Sequence, residues 1–333
     1  MKRAISGIVL TAALHGATAF AAEPGLQARL GQQDGWVAYH VPMVADIGEP
    51  CCYSWHGKSP KSAGCDLDGR NWSFGTDDEH RGVHGDATLA IYVRMEHGNV
   101  ERVRAVAASC PVKSAGEIRW IDNVDSGQSV NLLSNWIGGA DGAKGRDDAL
   151  PALAYHADES ATRALAALAA PSHPLESREQ ALFWLGQARG AEGADIVERF
   201  ATTDGDPKLR AQAIFALSES HASDPYARIH AIALNDPDEE VRSQAMFWMA
   251  QMKDDRAAAD ITAAIRTERS DEVREQGVFA LSQLEDGKGD EALIAVLRGN
   301  YSREIKKHAL FWLGQSGSTR AMEFFDAALT KSP

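Results

Sequence analysis

Apolar positions in the C-terminal half of the chain return at a fixed step. Arg178 to Gln187 reads REQALFWLGQ, and the phrase comes back as RAQAIFALSE from Arg210, RSQAMFWMAQ from Arg242, REQGVFALSQ from Arg274 and KKHALFWLGQ from Lys306. Phe183, Phe215, Phe247, Phe279 and Phe311 are therefore spaced by 32 residues without a slip. A step of that size predicts stacked supersecondary units, each too small to bury its own apolar face. Within a unit, positions such as Leu182 and Leu185 follow at helical spacing, with small Ala181 beside them. A first helix is expected to start at Asp206-Pro207, Asp238 or Asp271, because Asp caps free N–H groups and Pro fits the first turn. A second helix follows a polar break such as Asp224-Pro225, with Val197, Ile229, Ile261, Leu293 and Phe325 again at the same step. The pattern reaches back once more: Arg146, Ala149, Leu150 and Leu153 align with Arg178, Ala181, Leu182 and Leu185, and Pro151 stands where later units have Phe. That makes six units from about 146 to 330, the first an atypical cap.

A longer rhythm overlies the first. Trp184, Trp248 and Trp312 share one position, which Ala152, Ala216 and Ala280 fill in the intervening units. Two readings of the Trp row follow. Large and small residues could interdigitate between layers as packing, or the three Trp could form an exposed partner-binding row. The series Gln180, Gln212, Gln244 and Gln276, ending in His308, is read as hydrogen bonding between repeats.

Before the repeats the period changes to two. Trp36 to Val41 suits a strand, and Leu89, Ile91, Val93 and Met95 alternate with Ala90, Tyr92, Arg94 and Glu96. A turn at His97-Gly98-Asn99 then returns the chain through Val100 to Val106, a hairpin. Ile118 and Trp120 suggest a further strand, and Ser126 to Ile137 a helix leading onto the repeats. Between about 44 and 86 the sequence reads as a long loop rich in Gly, Asp and Cys, which needs a clamp or a function. The expected architecture is an α-solenoid of short helical pairs over 146–333, preceded by a small β-rich, disulfide-clamped domain over 22–145. The two parts are expected to separate at Gly138-Gly139 to Gly145.

Residues 1–21 read as a signal peptide. Lys2 and Arg3 precede a short apolar stretch, and Ala19-Phe20-Ala21 fits a cleavage site. The stretch is too short for a membrane span, so no membrane insertion of the mature chain is expected. Export to the periplasm, or beyond it, predicts oxidising conditions. All four cysteines, Cys51, Cys52, Cys65 and Cys110, lie in the N-terminal domain and are expected to form two disulfides. Three pairings exist. A vicinal Cys51–Cys52 bond is disfavoured by geometry, which leaves one of the pair bonded to Cys65 and the other to Cys110.

The net charge of −13, spread over both halves, excludes nucleic acid as a partner, since no Lys/Arg stripe is present to displace counterions. His56, His80, His84, Asp77, Asp78, Glu79 and Asp86 crowd the long loop. His80 and His84 are weak metal candidates, because the glycines around them favour a loop and no HExxH is present. There is no Gly-x-Ser-x-Gly elbow, phosphate loop or dinucleotide fingerprint, so no catalytic residue and no cofactor is assigned.

The Val241-Arg242 and Val273-Arg274 openings, the Ala-rich first helix and the Leu185-Gly186 or Leu281-Ser282 closings resemble short bacterial HEAT-like repeats of the PBS-lyase type. That resemblance covers somewhat over half the chain and implies an α-solenoid that binds proteins. Trp36 and Tyr39, the Cys-rich loop and Ser109-Cys110-Pro111 are also similar to exported bacterial HEAT-repeat proteins with an N-terminal Cys-containing domain. The function expected is a non-catalytic scaffold in the cell envelope with another protein as partner. The alternative is an enzyme or metal-binding sensor with its site in the 44–86 loop.

Overall fold

The computed structural model describes residues 24–45, 48–56, 59–62, 64–69, 74–76, 87–138, 146–285 and 287–330. The expected signal peptide, the Gly139 to Gly145 join, and His80 and His84 with the neighbouring acids lie outside the described residues.

The N-terminal part runs α1 (Leu26–Gly31), β1 (Gly35–Pro42), β2 (Pro50–His56), β3 (Ser59–Ser62), β4 (Cys65–Asp66), β5 (Phe74–Thr76), β6 (Thr88–Glu96), β7 (Asn99–Ala107), β8 (Val112–Lys113), β9 (Ile118–Ile121) and α2 (Ser126–Gly138). The main sheet has the order β7-β6-β1-β9. Strands β6 and β7 form the expected hairpin. His97 (φ 51°) and Gly98 (φ 77°) take the left-handed conformations that match the twist of paired strands. Strand β9 lies parallel to β1, with Trp36 opposite Ile118.

Period-two alternation gives this sheet two buried faces. On one, Val37, Tyr39, Val41, Ile91 and Val93 pack with Leu26 and Leu30 of α1 and Val130, Leu133 and Ile137 of α2. The Tyr39 hydroxyl, fully buried, bonds the Ser129 hydroxyl of α2 at 3.1 Å. On the other, Trp36, Ala38, Ala90, Tyr92 and Val106 pack under Leu67 and the four cysteines. The described residues of the 44–86 segment thus cover this face of the sheet. The segment contains the sheet β3-β2-β5 and strand β4, which pairs in parallel with β8 beyond the segment. Two disulfides hold it, Cys51–Cys110 and Cys52–Cys65, with the vicinal cysteines in separate bonds. At sequence separations of 13 and 59, closing these loops removes about 3 and about 4 kcal/mol of unfolded-chain entropy, on the chain-entropy account. A polar latch adds to the clamp. Asp68 accepts from Trp36 Nε1 (2.9 Å), Arg94 (2.6 Å) and the Ala115 N–H (2.7 Å). These contacts, led by the Ala115 N–H, hold its carboxyl below the usual range.

The six repeat units are α3 (Arg146–Ala154) with α4 (Glu159–Leu168), α5 (Leu175–Ala188) with α6 (Gly190–Thr203), α7 (Pro207–Ser218) with α8 (Pro225–Asn235), α9 (Glu239–Gln251) with α10 (Ala257–Thr267), α11 (Asp271–Ser282) with α12 (Lys288–Arg298), and α13 (Arg303–Ser316) with α14 (Thr319–Thr330). Asp206 and Asp238 cap α7 and α9 as expected, whereas α11 is capped by Ser270, with Asp271 inside the first turn. Leu209, Val241, Val273 and Ile305, one per unit, are all buried. So are Leu185, Leu217, Met249, Leu281 and Leu313. Successive first helices approach closely. A Cβ on Gly186 would lie 2.3 Å from the Ala216 carbonyl oxygen, so only glycine fits between α5 and α7. Among the described residues, no helix is long and apolar enough to cross a membrane.

The core does not divide where the composition changes. One apolar cluster runs from Leu26 through the sheet, α2 and α3 to Ala321. The end of β1 continues into the turn after α3: Met43 bridges His156, the Ala157 N–H donates to Pro42 O (2.9 Å), and the Val44 N–H donates to Tyr155 O (2.9 Å). The core is therefore continuous across the expected boundary between the two parts. Arg189, at the start of α6, then ties the same turn to the second unit by donating to Ala154 O, His156 O, Asp158 O and Thr162 Oγ1.

Candidate partner-binding surface

Helix geometry places residues seven apart on one face, two turns from each other. Counting back seven from the repeated Phe gives Glu176, Lys208, Glu240, Glu272 and Glu304. Counting back three gives Gln180, Gln212, Gln244, Gln276 and His308. The first helices therefore carry three parallel rows across the array: mostly acidic, amide, aromatic.

The aromatic row is continuous. Tyr155 meets Trp184 edge-on at 5.6 Å, and Trp184 meets Phe183 at 5.3 Å. Phe183 stacks on Phe215 at 5.9 Å, and Phe215 reaches Trp248 at 4.8 Å. Trp248 meets Phe247 at 5.3 Å, Phe247 stacks on Phe279 at 6.2 Å, and Phe279 reaches Trp312 at 5.0 Å, with Phe311 beyond it. All these spacings lie in the range where aromatic quadrupoles attract. The ladder explains the alternating rhythm. Within a pair of units Phe stacks on Phe, and between pairs a Trp reaches back to the preceding ring.

Trp184, Trp248 and Trp312 are half-buried, packed at the edge of the core. The two readings of the Trp row thus merge: each indole fills space between layers and leaves one edge at the surface. Ala152, Ala216 and Ala280 at the alternate positions are buried. Phe183, Phe215, Phe247 and Phe279 are half-buried, and Phe311 at the end of the row is 55% exposed. Between α9 and α11 the surface sinks into a groove of about 270 Å³ lined by Glu240, Ser243, Gln244, Phe247, Gln276 and Phe279.

The Gln row does not knit the repeats together. Gln244 Nε2 donates to Glu240 Oε1 in its own helix (3.0 Å). Gln212 and Gln276 are exposed. The last member does cross units, with His308 Nε2 3.4 Å from a Glu275 carboxylate oxygen. A recurrent arginine instead closes each of three units on its own second helix and reaches back to the unit before it. Arg210 forms two 2.9 Å bonds to Asp236, and Arg242 bonds Glu268 at 2.8 and 3.1 Å. Arg178 pairs with Asp204 through one nitrogen, while its Nε donates to Ala169 O at 2.9 Å. Arg210 and Arg242 also donate to the carbonyl oxygens of Asp204 and Asp236, the acids of the preceding units. Burial opposes charge on Glu268, yet Arg242 and the Ser270 and Arg269 N–H groups hold its carboxyl below the usual range. The signal was present as Asp204, Asp236 and Glu268, each 26 residues after its Arg. Asn300 breaks that series, and Arg274 turns to Asp271 in its own helix.

Charges on the second helices are matched across units. Arg228 pairs with Asp195 and Glu198, Arg256 with Asp224, Lys288 with Asp255 and Arg320 with Glu291. On the first helices the pairs include Arg274 with Asp271, Lys307 with Glu304 and His308 with Glu275. Glu179 beside the ladder is pushed up by burial and by the like charges of Glu176 and Asp206.

The alternative site in the 44–86 segment has less to offer among the described residues. The cluster with metal-ligand spacing is Cys51, Cys65 and Cys110, and disulfide bonding leaves none of the three as a thiolate. The backbone of His56 ends β2, while His80 and His84 lie outside the described residues.

The repeat segment matches the HEAT repeat family over residues 195–282 and, in an overlapping register, 226–300. The chain is similar to YibA of Escherichia coli, at 19% identity over 55% of this chain and 68% of that one, with a TM-score of 0.35. It is also similar to the complex of CpcE and CpcF of phycocyanin lyase from Nostoc, at 18% identity over 61% and 81% of the two chains, with a TM-score of 0.29. A third similarity is to Kap121p bound to Pho4p, at 13% identity and a TM-score of 0.40; the match takes in 61% of this chain and 27% of that one. No curated protein matches the chain.

Proposed function

We propose that this protein is a non-catalytic scaffold of the cell envelope whose first-helix face binds a segment of another protein. The observation that carries this reading is the unbroken ladder from Tyr155 to Phe311, half-buried along most of its length and bordered by a groove. An aromatic row of this kind supplies contact area at little cost in side-chain entropy, and Trp is enriched where binding energy concentrates.

The face also sets the chemistry of the partner. Packed helices sit about 8–10 Å apart, so the rungs repeat at about that interval. A segment in the polyproline II conformation has three residues per turn and rises about 3.1 Å per residue, and so offers an apolar side chain to successive rungs every third residue. Glu176, Glu240, Glu272 and Glu304 on one side of the ladder favour Lys or Arg between those apolar residues. The signal peptide expected over residues 1–21 and the two disulfides support export to an oxidising compartment.

The test uses the full-length mature protein. A photoreactive amino acid replaces Gln244 in the groove or, as control, Asn235 at the end of α8. Cross-linking in envelope extract, followed by peptide identification, should give one recurrent partner segment from the Gln244 position only. That segment should be rich in apolar and basic residues, and its capture should weaken with salt. Equal capture from both positions, or recurrent capture from Asn235 alone, would count against this face.

A further inference from the structure

The two disulfides of the N-terminal domain are not independent. The sulfurs of Cys51, Cys65 and Cys110 all lie within 4.8 Å of one another, and Cys65 Sγ is 3.7 Å from Cys110 Sγ although the two are not bonded. Their closeness does not depend on the existing bonds alone. Cys65 sits in β4 directly opposite Val112 of β8, and its N–H donates to Pro111 O at 2.8 Å. The backbone therefore holds Cys65 beside Cys110 by its own ladder. Both bonded partners, Cys51 and Cys52, are neighbours on β2.

We infer that these four cysteines form a single thiol–disulfide exchange site with a second, built-in pairing, Cys65–Cys110. The exchange is set off by a dithiol reductant. That dithiol passes two electrons to the Cys52–Cys65 bond, leaving two thiols, and is itself oxidised to a disulfide. The Cys65 thiolate then attacks Cys110 Sγ. A Cys65–Cys110 bond forms, the Cys51–Cys110 bond breaks, and Cys51 leaves as the thiolate and takes up the proton that Cys65 lost. No further oxidant or reductant is consumed in this second step. The product carries one disulfide and the Cys51/Cys52 dithiol. Its mechanical meaning is specific. In the oxidised form β2 is stitched to β4 and to the turn after β7; after exchange both stitches on β2 are gone, while β4 remains tied to that turn. One two-electron reduction thus frees β2 from the sheet beneath it.

A single substitution exposes the second step without any reductant. In the full-length Cys52→Ser protein, Cys65 starts as a free thiol facing Cys110. The protein is equilibrated near pH 8, quenched with acid, unfolded, labelled with a maleimide and peptide-mapped. Label is expected on both Cys51 and Cys65, in complementary fractions, with Cys51–Cys110 and Cys65–Cys110 as the two linked species. Sampled before equilibrium, the appearance of label on Cys51 should slow by roughly tenfold per pH unit below the thiol pKa, since the thiolate is the attacker. Label on Cys65 alone, with Cys51–Cys110 intact, would overturn the inference. So would a Cys51–Cys65 link with free Cys110, which signals general scrambling. The Cys51→Ser protein gives an independent check: Cys110 should attack Cys65 and release Cys52, so that Cys110 and Cys52 share the label. The parent protein treated with one equivalent of dithiothreitol should accumulate the Cys65–Cys110 species with Cys51 and Cys52 both alkylated, and a one-bond species that keeps either original bond instead would reject the exchange.

Discussion

The two regions solve the same stability problem by opposite means. In the solenoid each unit touches its neighbours, and the same few interactions recur: an aliphatic residue before the Arg, a small residue in the first helix, and an Arg–carboxylate staple between helices. Stability there is close to a sum of unit and nearest-neighbour terms. In the N-terminal region nothing recurs. Strand β1 pairs with β6 and β9, which follow it by some 50 and 80 residues, and the segment between is closed by two disulfides and the Asp68 latch. Local contacts repeated many times suffice for one region, while the other needs covalent closure to offset the entropy of long-range pairing. Where they meet, β1 and the turn after α3 share hydrogen bonds and core.

The largest expected effect falls on that meeting point. A fragment of residues 146–333 would expose the buried face of Leu150 and Leu153, which the shared core covers in the whole protein. It is expected to self-associate, as measured by light scattering. A monodisperse helical fragment that melts like the intact chain would show that the regions divide after all.

Next in size is the staple. Arg210→Ala leaves Asp236 buried without its partner, and losses of about 3–5 kcal/mol are usual for such a change. Denaturant melts should show it, and the same substitution at Arg274, whose partner is an exposed acid in its own helix, should cost about 0.5 kcal/mol.

The joint is also expected to respond to acid. His156 is fully buried, accepts the Asp158 N–H at Nδ1, and has no partner at Nε2 among the described residues. Burial lowers it to about 4, against opposition from Asp158 and with help from Arg189. A depressed imidazole means the fold favours the neutral form. Its contribution is therefore complete above the unfolded value of 6.5 and is lost as pH falls from there through about 4, a change of about 3 kcal/mol. Stability measured from pH 7 to pH 4 should flatten in His156→Asn relative to the parent.

A smaller effect is expected in the ladder. Because Trp248 is half-buried, Trp248→Ala should cost about 2 kcal/mol rather than the 3–5 of a full core aromatic, with loss of its contacts to Phe215 and Phe247. The same variant should also weaken capture of the partner segment, which a purely structural Trp would not. Smallest of all, Gln244→Ala should change stability by less than about 0.5 kcal/mol, since its amide bonds only Glu240 on the same helix; a larger loss would restore the Gln row as a link between repeats.

Sequence alone determined the repeat: the 32-residue step, the six helical pairs, the Pro151 unit at the front, and the hairpin about His97-Gly98 were legible because helices and hairpins are set by local periodicity and turn chemistry. The separation of Cys51 and Cys52 into different bonds followed from bond geometry. What only the tertiary structure decided was long-range. No local signal says that Cys51, Cys52, Cys65 and Leu67 pack over the sheet, that β9 returns parallel to β1, or that Asp68 gathers Trp36, Arg94 and Ala115. The Trp row shows the same limit within the regular half. Its spacing was plain, but whether an indole lies inside or outside depends on the ring that the neighbouring unit places against it. The joint at His156 was invisible for the same reason: its burial is produced by β1 and Arg189, residues far away in sequence, and burial by distant residues leaves no trace in a local pattern.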